Sequence, residues 1–228
     1  MKFIILGLGN FGASLATMLT EKGHEVIGVD MTMNRVEMLK DQITHTVCID
    51  VTDPIAMKNL PIAETDVVVI ALGEDAGANI MSTALLKQMN PKRIICRAIS
   101  PLHLTILEAM GMDEIVHPEE EAAERLANSL NMQGVVNSFV LSEAYNIVEA
   151  RVPAHCANKT IEEVGFRRNY NIVILAIKKV REERNLLGVV RKVSEVEEVA
   201  STSTVLQVGD ILVLYGNVDD IQSFLKSR

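Results

Sequence analysis

Short apolar runs alternate with amphipathic stretches over the first half of the chain. The apolar runs have the length of β-strands, and the stretches between them carry apolar residues at helical spacing. Strands that alternate with helices favour parallel βαβ units, so we predict an α/β fold with a Rossmann-like, doubly wound parallel sheet. The predicted strands cover residues 2–6, 24–29, 45–49, 66–71, 92–96 and 113–116.

Two helical stretches lead to specific expectations. Met81, Leu85 and Met89 recur at every fourth position, which predicts a buried stripe on the helix that follows the fourth strand. Residues 102–110 predict a helix with apolar side chains around most of its circumference, whereas a helix that lies on a sheet buries one stripe. We therefore expect this helix to form a subunit interface. The alternative is that the second half of the chain covers it.

The pattern changes in the second half of the chain. Helices are predicted over residues 158–165 and from Asn217 onwards, and residues 195–204 are polar and weakly patterned. We predict a Rossmann domain over residues 1–135 and a small α+β domain over residues 136–228. The predicted strands of the second domain cover residues 139–141, 145–152, 171–178, 187–190 and 206–215.

The first predicted strand runs directly into Gly7-Leu8-Gly9-Asn10-Phe11-Gly12, which matches the pattern GxGxxG. Between a strand and a helix, this pattern is typical of dinucleotide-binding folds. Gly7 permits the tight turn, Gly9 lets the backbone approach a pyrophosphate, and Gly12 lets the helix pack on the strand. The helix N-terminus adds amide groups and a positive dipole, so we expect a ligand that carries phosphate.

The second strand leads to Asp30, eighteen residues after Gly12. This is close to the spacing at which a carboxylate accepts hydrogen bonds from the hydroxyl groups of an adenosine ribose. A carboxylate at this position also repels a 2′-phosphate, so we expect NADP to be disfavoured. The alternative is a structural glycine turn followed by a solvated Asp30.

Three further strand ends carry candidate ligand-binding residues. Asp50 follows the third strand, Leu72-Gly73-Glu74 the fourth, and Arg97 the fifth. Ligands of open parallel sheets lie beyond the carboxyl ends of the strands, so Asp50 is a candidate for the adenine or ribose side of a site. The guanidinium of Arg97 is a candidate bidentate partner for phosphates. The alternatives are a simple loop acid and a surface arginine.

Composition and charge exclude several classes of function. The chain has 228 residues and a net charge of −8, with a pI near 5.2, which argues against nucleic acid or an anionic membrane as a partner. No segment approaches the ~18 apolar residues of a membrane span, and we expect no signal peptide. The three widely spaced cysteines favour free thiols in a reducing cytosol, and no pair has metal-ligand spacing.

A nicotinamide-dependent oxidoreductase is the alternative function. It would need a general acid or base beside the nicotinamide. Tyr145, Tyr170 and Tyr215 have no Lys four residues later, so the Tyr-Lys pair of short-chain dehydrogenases is absent. We therefore expect a protein that is not an enzyme. A redox-sensing repressor is a third interpretation, but the sequence has no basic helix-turn-helix segment.

Five motifs follow one another along the chain. They are GLGNFG with Asp30, IDVTD at Asp50, CRA at Arg97, HPE at Glu119, and VGDILVLYG near the C-terminus. Taken in order, these motifs resemble the RCK family, the regulators of potassium conductance, and within it the cytosolic subunits of Ktr and Trk type. The similarity covers essentially the whole chain, and the ordered set is much more specific than the glycine motif alone.

The resemblance implies a gating ring in the cytoplasm, an octamer assembled from dimers. It would dock at the inner face of the membrane on an integral subunit that translocates potassium. A change in the bound nucleotide, NAD/NADH or ATP/ADP, would change the conductance of that partner. ATP-responding Ktr proteins commonly have Arg where this chain has Asn10, which leaves the two nucleotide pairs equally open.

The resemblance also implies roles for individual residues. It assigns phosphates to the three glycines of the motif and to Arg97, the ribose to Asp30, and the adenine side to Asp50. Glu119 resembles the acidic residue that, in Ktr-type members, faces the nucleotide of the neighbouring subunit and helps to hold a divalent cation. No catalytic residue is expected. The expected nucleotide-binding residues are Gly7, Gly9, Asn10, Phe11, Gly12, Asp30, Met31, Asp50, Val51, Ala71, Leu72, Gly73, Arg97 and Glu119.

Overall fold

The computed structural model describes residues 1–131, 134–142, 144–184, 190–198 and 200–227. The chain forms two compact units, Met1–Glu119 and Glu120–Arg228. The predicted domain limit after residue 135 stays a prediction. Among the described residues, no helix has both the length and the apolar character needed to cross a lipid bilayer.

The first unit is built on a parallel sheet. Its strands are β1 (Lys2–Leu6), β2 (Glu25–Asp30), β3 (His45–Cys48), β4 (Val67–Ile70), β5 (Ile94–Arg97) and β6 (Ile115–Val116). They lie in the order β3-β2-β1-β4-β5-β6, which confirms the predicted doubly wound α/β fold. The helices that follow the strands are α1 (Asn10–Glu21), α2 (Met33–Leu39), α3 (Pro54–Met57), α4 (Ala76–Met89), α5 (Pro101–Ala109) and α6 (Pro118–Asn131), whose first residues belong to this unit.

Apolar side chains cover both faces of this sheet. Successive residues of a strand point to opposite faces, so Ile4 and Ile5 of β1 belong to two separate apolar clusters. Leu86 and Leu107 from the helices pack in the cluster of Ile4, and Ala16 packs in that of Ile5. Each buried side chain of Leu or Ile size contributes about 1.5–3 kcal/mol, so this double core holds the strand ends in fixed positions.

The buried face of α4 differs from the prediction. Met81 is 54% exposed, and Leu85 and Met89 are only partly buried. The side chains that the helix buries are mostly polar, because their hydroxyl and amide groups donate to backbone carbonyls and so offset the cost of burial. The buried residues of this helix are Asn79, Ser82, Thr83 and Leu86.

Helix α5 begins at Pro101, close to the start of the predicted range. The side chain of Ser100 accepts a hydrogen bond from the backbone N–H of His103, and Pro101 occupies the first helical position. His103 and Leu107 are buried, and burial lowers the pKa of His103. Leu102 is 72% exposed. The expected subunit interface on this helix stays a prediction.

The second unit is an antiparallel sheet packed against helices, which confirms the predicted small α+β architecture. Its strands are β7 (Val135–Val140), β8 (Tyr145–Arg151), β9 (Val173–Arg184), β10 (Val190–Glu198) and β11 (Ile211–Asn217), in the order β10-β9-β11-β8-β7. Its shorter helices are α7 (Ile161–Val164), α8 (Phe166–Tyr170) and α9 (Val218–Lys226). Leu212, Leu214 and Phe224 lie fully buried in one apolar cluster.

One predicted helix of this unit is shorter in the structure, and part of the weakly patterned stretch, for which no element was predicted, is strand. The helix predicted over residues 158–165 begins at Ile161, because Thr160 and Glu163 form a capping box that fixes its start. The weakly patterned stretch from residue 195 is strand as far as Glu198, because backbone pairing with β9 stabilises it without an apolar alternation. The strand predicted over residues 187–190 falls mostly on residues 187–189, which lie outside the described residues.

Candidate functional site

A cavity of about 380 Å³ lies beyond the carboxyl ends of the parallel strands. The strand order reverses at β1, which pairs with β2 on one side and with β4 on the other. In open parallel sheets, ligands bind at such a switch point. The cavity is lined by Gly7, Gly9, Asn10, Phe11, Val29, Asp30, Met31, Thr32, Arg35, Asp50, Val51, Thr52, Ala71, Leu72, Gly73, Glu74, Asp75, Ala78, Arg97 and Glu119.

Gly7 and Gly12 make the close contacts of the loop between β1 and α1. Gly7 has a φ of +97°, in the left-handed region that favours glycine, and its N–H donates to the carbonyl of Val29 at 2.7 Å. A Cβ on Gly12 would overlap the carbonyl oxygen of Gly7. The helix can therefore start this close to the strand only with glycine at position 12.

Gly9 presents open backbone to the cavity. It is the N-cap of α1, and a Cβ at this position would meet no protein atom within 4 Å. Glycine has no capping side chain, so the first amide groups of α1 keep their hydrogen-bonding capacity for a ligand. The first turn of α1 contains no acidic residue. The positive end of the helix dipole thus faces the cavity, as an anion requires.

Asp30 places a buried carboxylate at the end of β2. It is 4% exposed; its Oδ2 accepts from the N–H of Leu8 at 2.8 Å and its Oδ1 from the N–H of Thr32 at 2.8 Å. Burial acts to raise the pKa of Asp30, but the two backbone N–H groups and the charge of Arg35 outweigh it and lower the pKa. Asp30 is therefore ionised at neutral pH and held in one orientation.

Arg35 lies between two carboxylates at this end of the cavity. Its Nη2 is 2.6 Å from Oε1 of Glu74, and its Nη1 is 3.4 Å from Oδ2 of Asp30. The bond to Glu74 is the main reason that the pKa of Arg35 is raised. Arg35 comes from α2 and Glu74 from the loop after β4, so their ion pair joins opposite walls of the cavity.

Asp50 has a fixed carboxylate at the end of β3. Its Oδ1 accepts from the hydroxyl of Thr52 at 2.7 Å and from the N–H of Thr52 at 2.8 Å. These bonds, the hydroxyl first, lower the pKa of Asp50. The second carboxylate oxygen remains available as a hydrogen-bond acceptor for a ligand on this side of the cavity.

Arg97 supplies the positive charge at the opposite end. Its guanidinium forms an ion pair with Glu119, and its Cζ lies 5.5 Å from the centroid of the Phe11 ring. Its Nε is buried and has no hydrogen-bond partner among the described residues. A Cβ on Gly73 would overlap this guanidinium. Glycine at position 73 therefore makes room for Arg97.

Asn79 of α4 holds the strand ends around the cavity. Its Nδ2 donates to the carbonyl of Leu72 at 3.0 Å and to the carbonyl of Arg97 at 3.1 Å. Ser82, one turn further on, donates to the carbonyl of Val51 at 3.2 Å. The polar buried face of α4 thus fixes three of the loops that line the cavity.

The structure brings together every residue predicted for the nucleotide site except Gly12, which packs behind the loop. Their ligand roles stay predictions. The sequence analysis missed Thr32 and Arg35, which also line the cavity. Arg35 has a signal in the sequence, because it stands in the first turn of the helix that follows the acid at the end of β2. Glu74 was expected at this edge of the sheet, but its ion pair with Arg35 was not, since that pairing depends on the fold.

The cavity offers a carboxylate at one end, a guanidinium at the other, and helix amides between them. This arrangement can hold a polar ring or sugar at Asp30 and an anion at Arg97. Among the described residues, no group of His, Cys, Asp and Glu has the geometry of a metal site. The part of the cavity wall that the structure describes contains no His, Cys, Tyr or Lys.

Comparison with known proteins gives matches over both units. Residues 3–118 match the model of the TrkA-N domain, and residues 147–227 match that of the TrkA-C domain. The Ktr system potassium uptake protein C of Bacillus subtilis (strain 168) is 32% identical over 225 residues, which are 99% of this chain and 96% of that protein.

Solved structures share the fold. The crystal structure of the GsuK RCK domain superposes with a TM-score of 0.67 and 19% identity, over 99% of this chain and 48% of the other. The GsuK channel bound to NAD gives a TM-score of 0.64 and 19% identity, over 99% of this chain and 38% of the other. The chain thus spans less than half the length of these two solved chains. The resemblance to Ktr proteins seen in the sequence is confirmed: the chain belongs to the family of the Ktr potassium uptake proteins and carries a TrkA-N domain followed by a TrkA-C domain.

Proposed function

We propose that the chain is a nucleotide-binding regulatory subunit that gates a membrane potassium uptake system of Trk or Ktr type. The observation that carries this proposal is the placement of Asp30 and Arg97 at opposite ends of one cavity, with the open backbone of Gly9 between them. A nucleotide has the matching order of groups, since its sugar hydroxyls donate hydrogen bonds and its phosphates carry negative charge.

These groups suggest one orientation for an adenine nucleotide. The carboxylate of Asp30 would accept from a ribose hydroxyl while it holds Leu8, Thr32 and Arg35, because an ionised carboxylate has about four acceptor sites. The free oxygen of Asp50 lies on the adenine side. The first amides of α1 and the guanidinium of Arg97 take the phosphates, as at other helix N-termini that bind anions.

The chemistry of the cavity accommodates NAD/NADH as well as ATP/ADP. Asn10 lines the cavity beside the phosphate end and carries no charge, so it does not offset the charge of a γ-phosphate. The GsuK channel, which shares this fold, was solved bound to NAD. Of the two pairs, a dinucleotide makes the smaller demand for positive charge, because its two phosphates carry one negative charge each.

Phosphate and Glu119 would compete for Arg97. In the structure, the guanidinium is paired with Glu119, which stands in the first turn of α6. A bound phosphate would replace this carboxylate and release the first turn of α6. Nucleotides that differ in their terminal phosphate, or in the charge of the nicotinamide ring, would release the first turn of α6 to different extents. Such nucleotides would differ in their affinity for the two conformations, as a switch requires.

The proposed assembly is a homo-oligomer, dimers that form an octameric ring, docked at the inner face of the membrane on the potassium-translocating subunit. A tenfold difference in nucleotide affinity between two ring shapes supplies about 1.4 kcal/mol per site. Identical sites that switch in concert add their contributions. We propose this regulatory role without catalysis.

Calorimetric titration with ATP, ADP, NAD and NADH, with and without Mg²⁺, tests the binding step. We expect binding by the wild type, loss of binding in Asp30→Ala, and unchanged binding in the control Asp41→Ala, which changes an exposed acid outside the cavity. Flux of Rb⁺ into vesicles that contain the membrane subunit then tests gating. Failure of all four nucleotides to bind, or a monomer in light scattering with nucleotide bound, would contradict the proposal.

A further inference from the structure

Glu74 and Asp30 both pair with Arg35 at one end of the cavity. Glu74 forms the shorter of the two ion pairs of Arg35, at 2.6 Å, while Asp30 lies 3.4 Å from the same guanidinium. Two carboxylates therefore face one guanidinium, so these three side chains together carry one net negative charge. An incoming group with further negative charge meets a guanidinium that is already paired with two carboxylates.

The charge balance matters for one chemical difference between nucleotides. In dinucleotide-binding folds, an acid at the end of the second strand binds the 2′-hydroxyl of the ribose, whereas a nearby arginine accommodates a 2′-phosphate. This chain has both residues within ion-pair distance of each other. The acid alone does not decide the preference, because Arg35 stands where it can bind a 2′-phosphate once it is free.

We propose that Glu74 is the specificity-determining residue that makes the site reject 2′-phosphorylated nucleotides, by engaging Arg35. This inference rests on the proposed function, since it requires an adenosine ribose at Asp30. It goes beyond that function because it concerns which form of the ribose the site accepts.

The three residues differ in what else they do. Asp30 is buried and holds the backbone N–H groups of Leu8 and Thr32, so it has a structural role that a ligand cannot replace. The side chain of Glu74 is 79% exposed, and that of Arg35 is 37% exposed. The Glu74 carboxylate is therefore the member that can be neutralised without loss of the fold, which leaves Arg35 free to turn to a 2′-phosphate.

The test compares NAD with NADP, and ADP with its 2′-phosphate, because the members of each pair differ only at the 2′ position. We expect the wild type to favour the 2′-hydroxyl form of the pair that it binds. In Glu74→Gln, the 2′-phosphorylated form should bind about tenfold more tightly, since a doubly charged group loses one repulsive neighbour and gains a free guanidinium. Affinity for the 2′-hydroxyl form should change less, so the ratio of the two affinities measures the preference.

Two further variants separate the possible causes. Glu37→Gln is the matched control, because Glu37 pairs with Lys40 on the exposed side of the same helix as Arg35 and does not line the cavity. It should leave the preference unchanged. In Arg35→Gln with Glu74→Gln, the gain for the 2′-phosphate should disappear, because the released guanidinium is gone.

Each other outcome counts against the inference. An unchanged preference in Glu74→Gln, with melting temperature and affinity for the 2′-hydroxyl form intact, overturns it and leaves the proposed function standing. A gain that survives in the double variant shows that charge removal alone acts, and overturns the role of Arg35. A wild type that binds none of the four nucleotides removes the proposed function, and the inference falls with it.

Discussion

Asp30 shows how one side chain combines a structural and a ligand-binding role. Its two oxygens fix the turn after β1 and the start of α2 through the N–H groups of Leu8 and Thr32. Its charge survives burial because these donors and Arg35 favour the ionised form. The remaining acceptor sites of the carboxylate therefore face the cavity in a fixed orientation. A ligand that binds there does not have to immobilise the side chain of Asp30.

The same residue gives a prediction for stability as a function of pH. Asp30→Asn should lower the free energy of unfolding at pH 7 by about 1–3 kcal/mol, because the amide can accept from only one of the two N–H groups. The folded-state pKa of Asp30 lies below its unfolded value, so the stabilisation is present above the unfolded pKa and is lost as the pH falls through the folded pKa. The stability difference between the two proteins should therefore narrow below about pH 4.

Urea unfolding of both proteins at pH 7 and at several values below pH 4 measures this difference. A gap that stays constant over the acid range would show that the charge of Asp30 contributes nothing to folding. A gap that widens would mean that its pKa is raised in the folded state.

Gly73 gives a second prediction at the scale of one residue. Gly73→Ala should displace the guanidinium of Arg97, because the added Cβ overlaps it and the flexible end of the arginine can move. We expect affinity for ADP or NAD to fall about 10- to 100-fold, the contribution of a charge-assisted bond, with adenosine much less affected. Gly77→Ala is the control, since its Cβ meets only the side chain of Asp75, at 3.1 Å. Equal loss for adenosine and ADP in calorimetry would contradict a phosphate role for Arg97.

At the scale of elements, the loop between β1 and α1 separates packing from binding. A Cβ on Gly12 overlaps the backbone of Gly7, which cannot give way without moving the strand or the helix. A Cβ on Gly9 meets no protein atom within 4 Å. The two glycines of one motif therefore have different reasons to be glycine.

Their alanine variants should have opposite effects. Gly12→Ala should lower the free energy of unfolding by about 2 kcal/mol or more, because backbone atoms must shift. Gly9→Ala should leave stability within about 0.5 kcal/mol and abolish nucleotide binding, since its methyl group would occupy the space of the pyrophosphate. Thermal melting and calorimetry on both variants check this. A stable Gly9→Ala protein with full affinity would place the phosphates elsewhere.

Elements with a strong apolar period could be predicted from the sequence, and others could not. Buried apolar runs and glycine turns predict β1 and β4 and the helices that follow these strands. The buried face of α4 was not predicted, because Asn79 and Ser82 form hydrogen bonds with backbone carbonyls from distant parts of the chain. β10 escaped because its order comes from pairing with β9 and not from its own pattern.

The candidate site shows the same division. Residues at strand ends, such as Asp30 and Arg97, were predictable because parallel strands bring their carboxyl ends to one edge. The ion pair of Glu74 with Arg35 was not predictable, because it depends on how the loop after β4 approaches α2. The packing role of Gly12 was predictable from the glycine motif, and the short distance between its Cβ position and the carbonyl oxygen of Gly7 agrees with it.

At the scale of the whole molecule, the two units have separate apolar cores. Leu86 is fully buried in the first and Leu212 in the second. We expect calorimetric melting to show two transitions: Leu86→Ala should lower one and Leu212→Ala the other, each by about 2–5 kcal/mol in stability. ADP or NAD should raise only the transition that Leu86→Ala lowers, because ligands stabilise the unit that binds them. A single transition, lowered equally by both variants, would contradict separate units.

The strand order of the first unit also bears on when the cavity can form during synthesis. Gly7 and Glu119 line the same cavity although they are more than a hundred residues apart in the sequence. β4 lies beside β1 in the sheet, although β2 and β3 come between them in the sequence. Parallel pairings of this kind join strands that are far apart in the sequence, and such pairings form slowly. The cavity is incomplete in a nascent chain until all of the first 119 residues have left the ribosome. Any ligand of the cavity therefore binds and stabilises the first unit only after that unit has folded. It does not direct the folding of the unit.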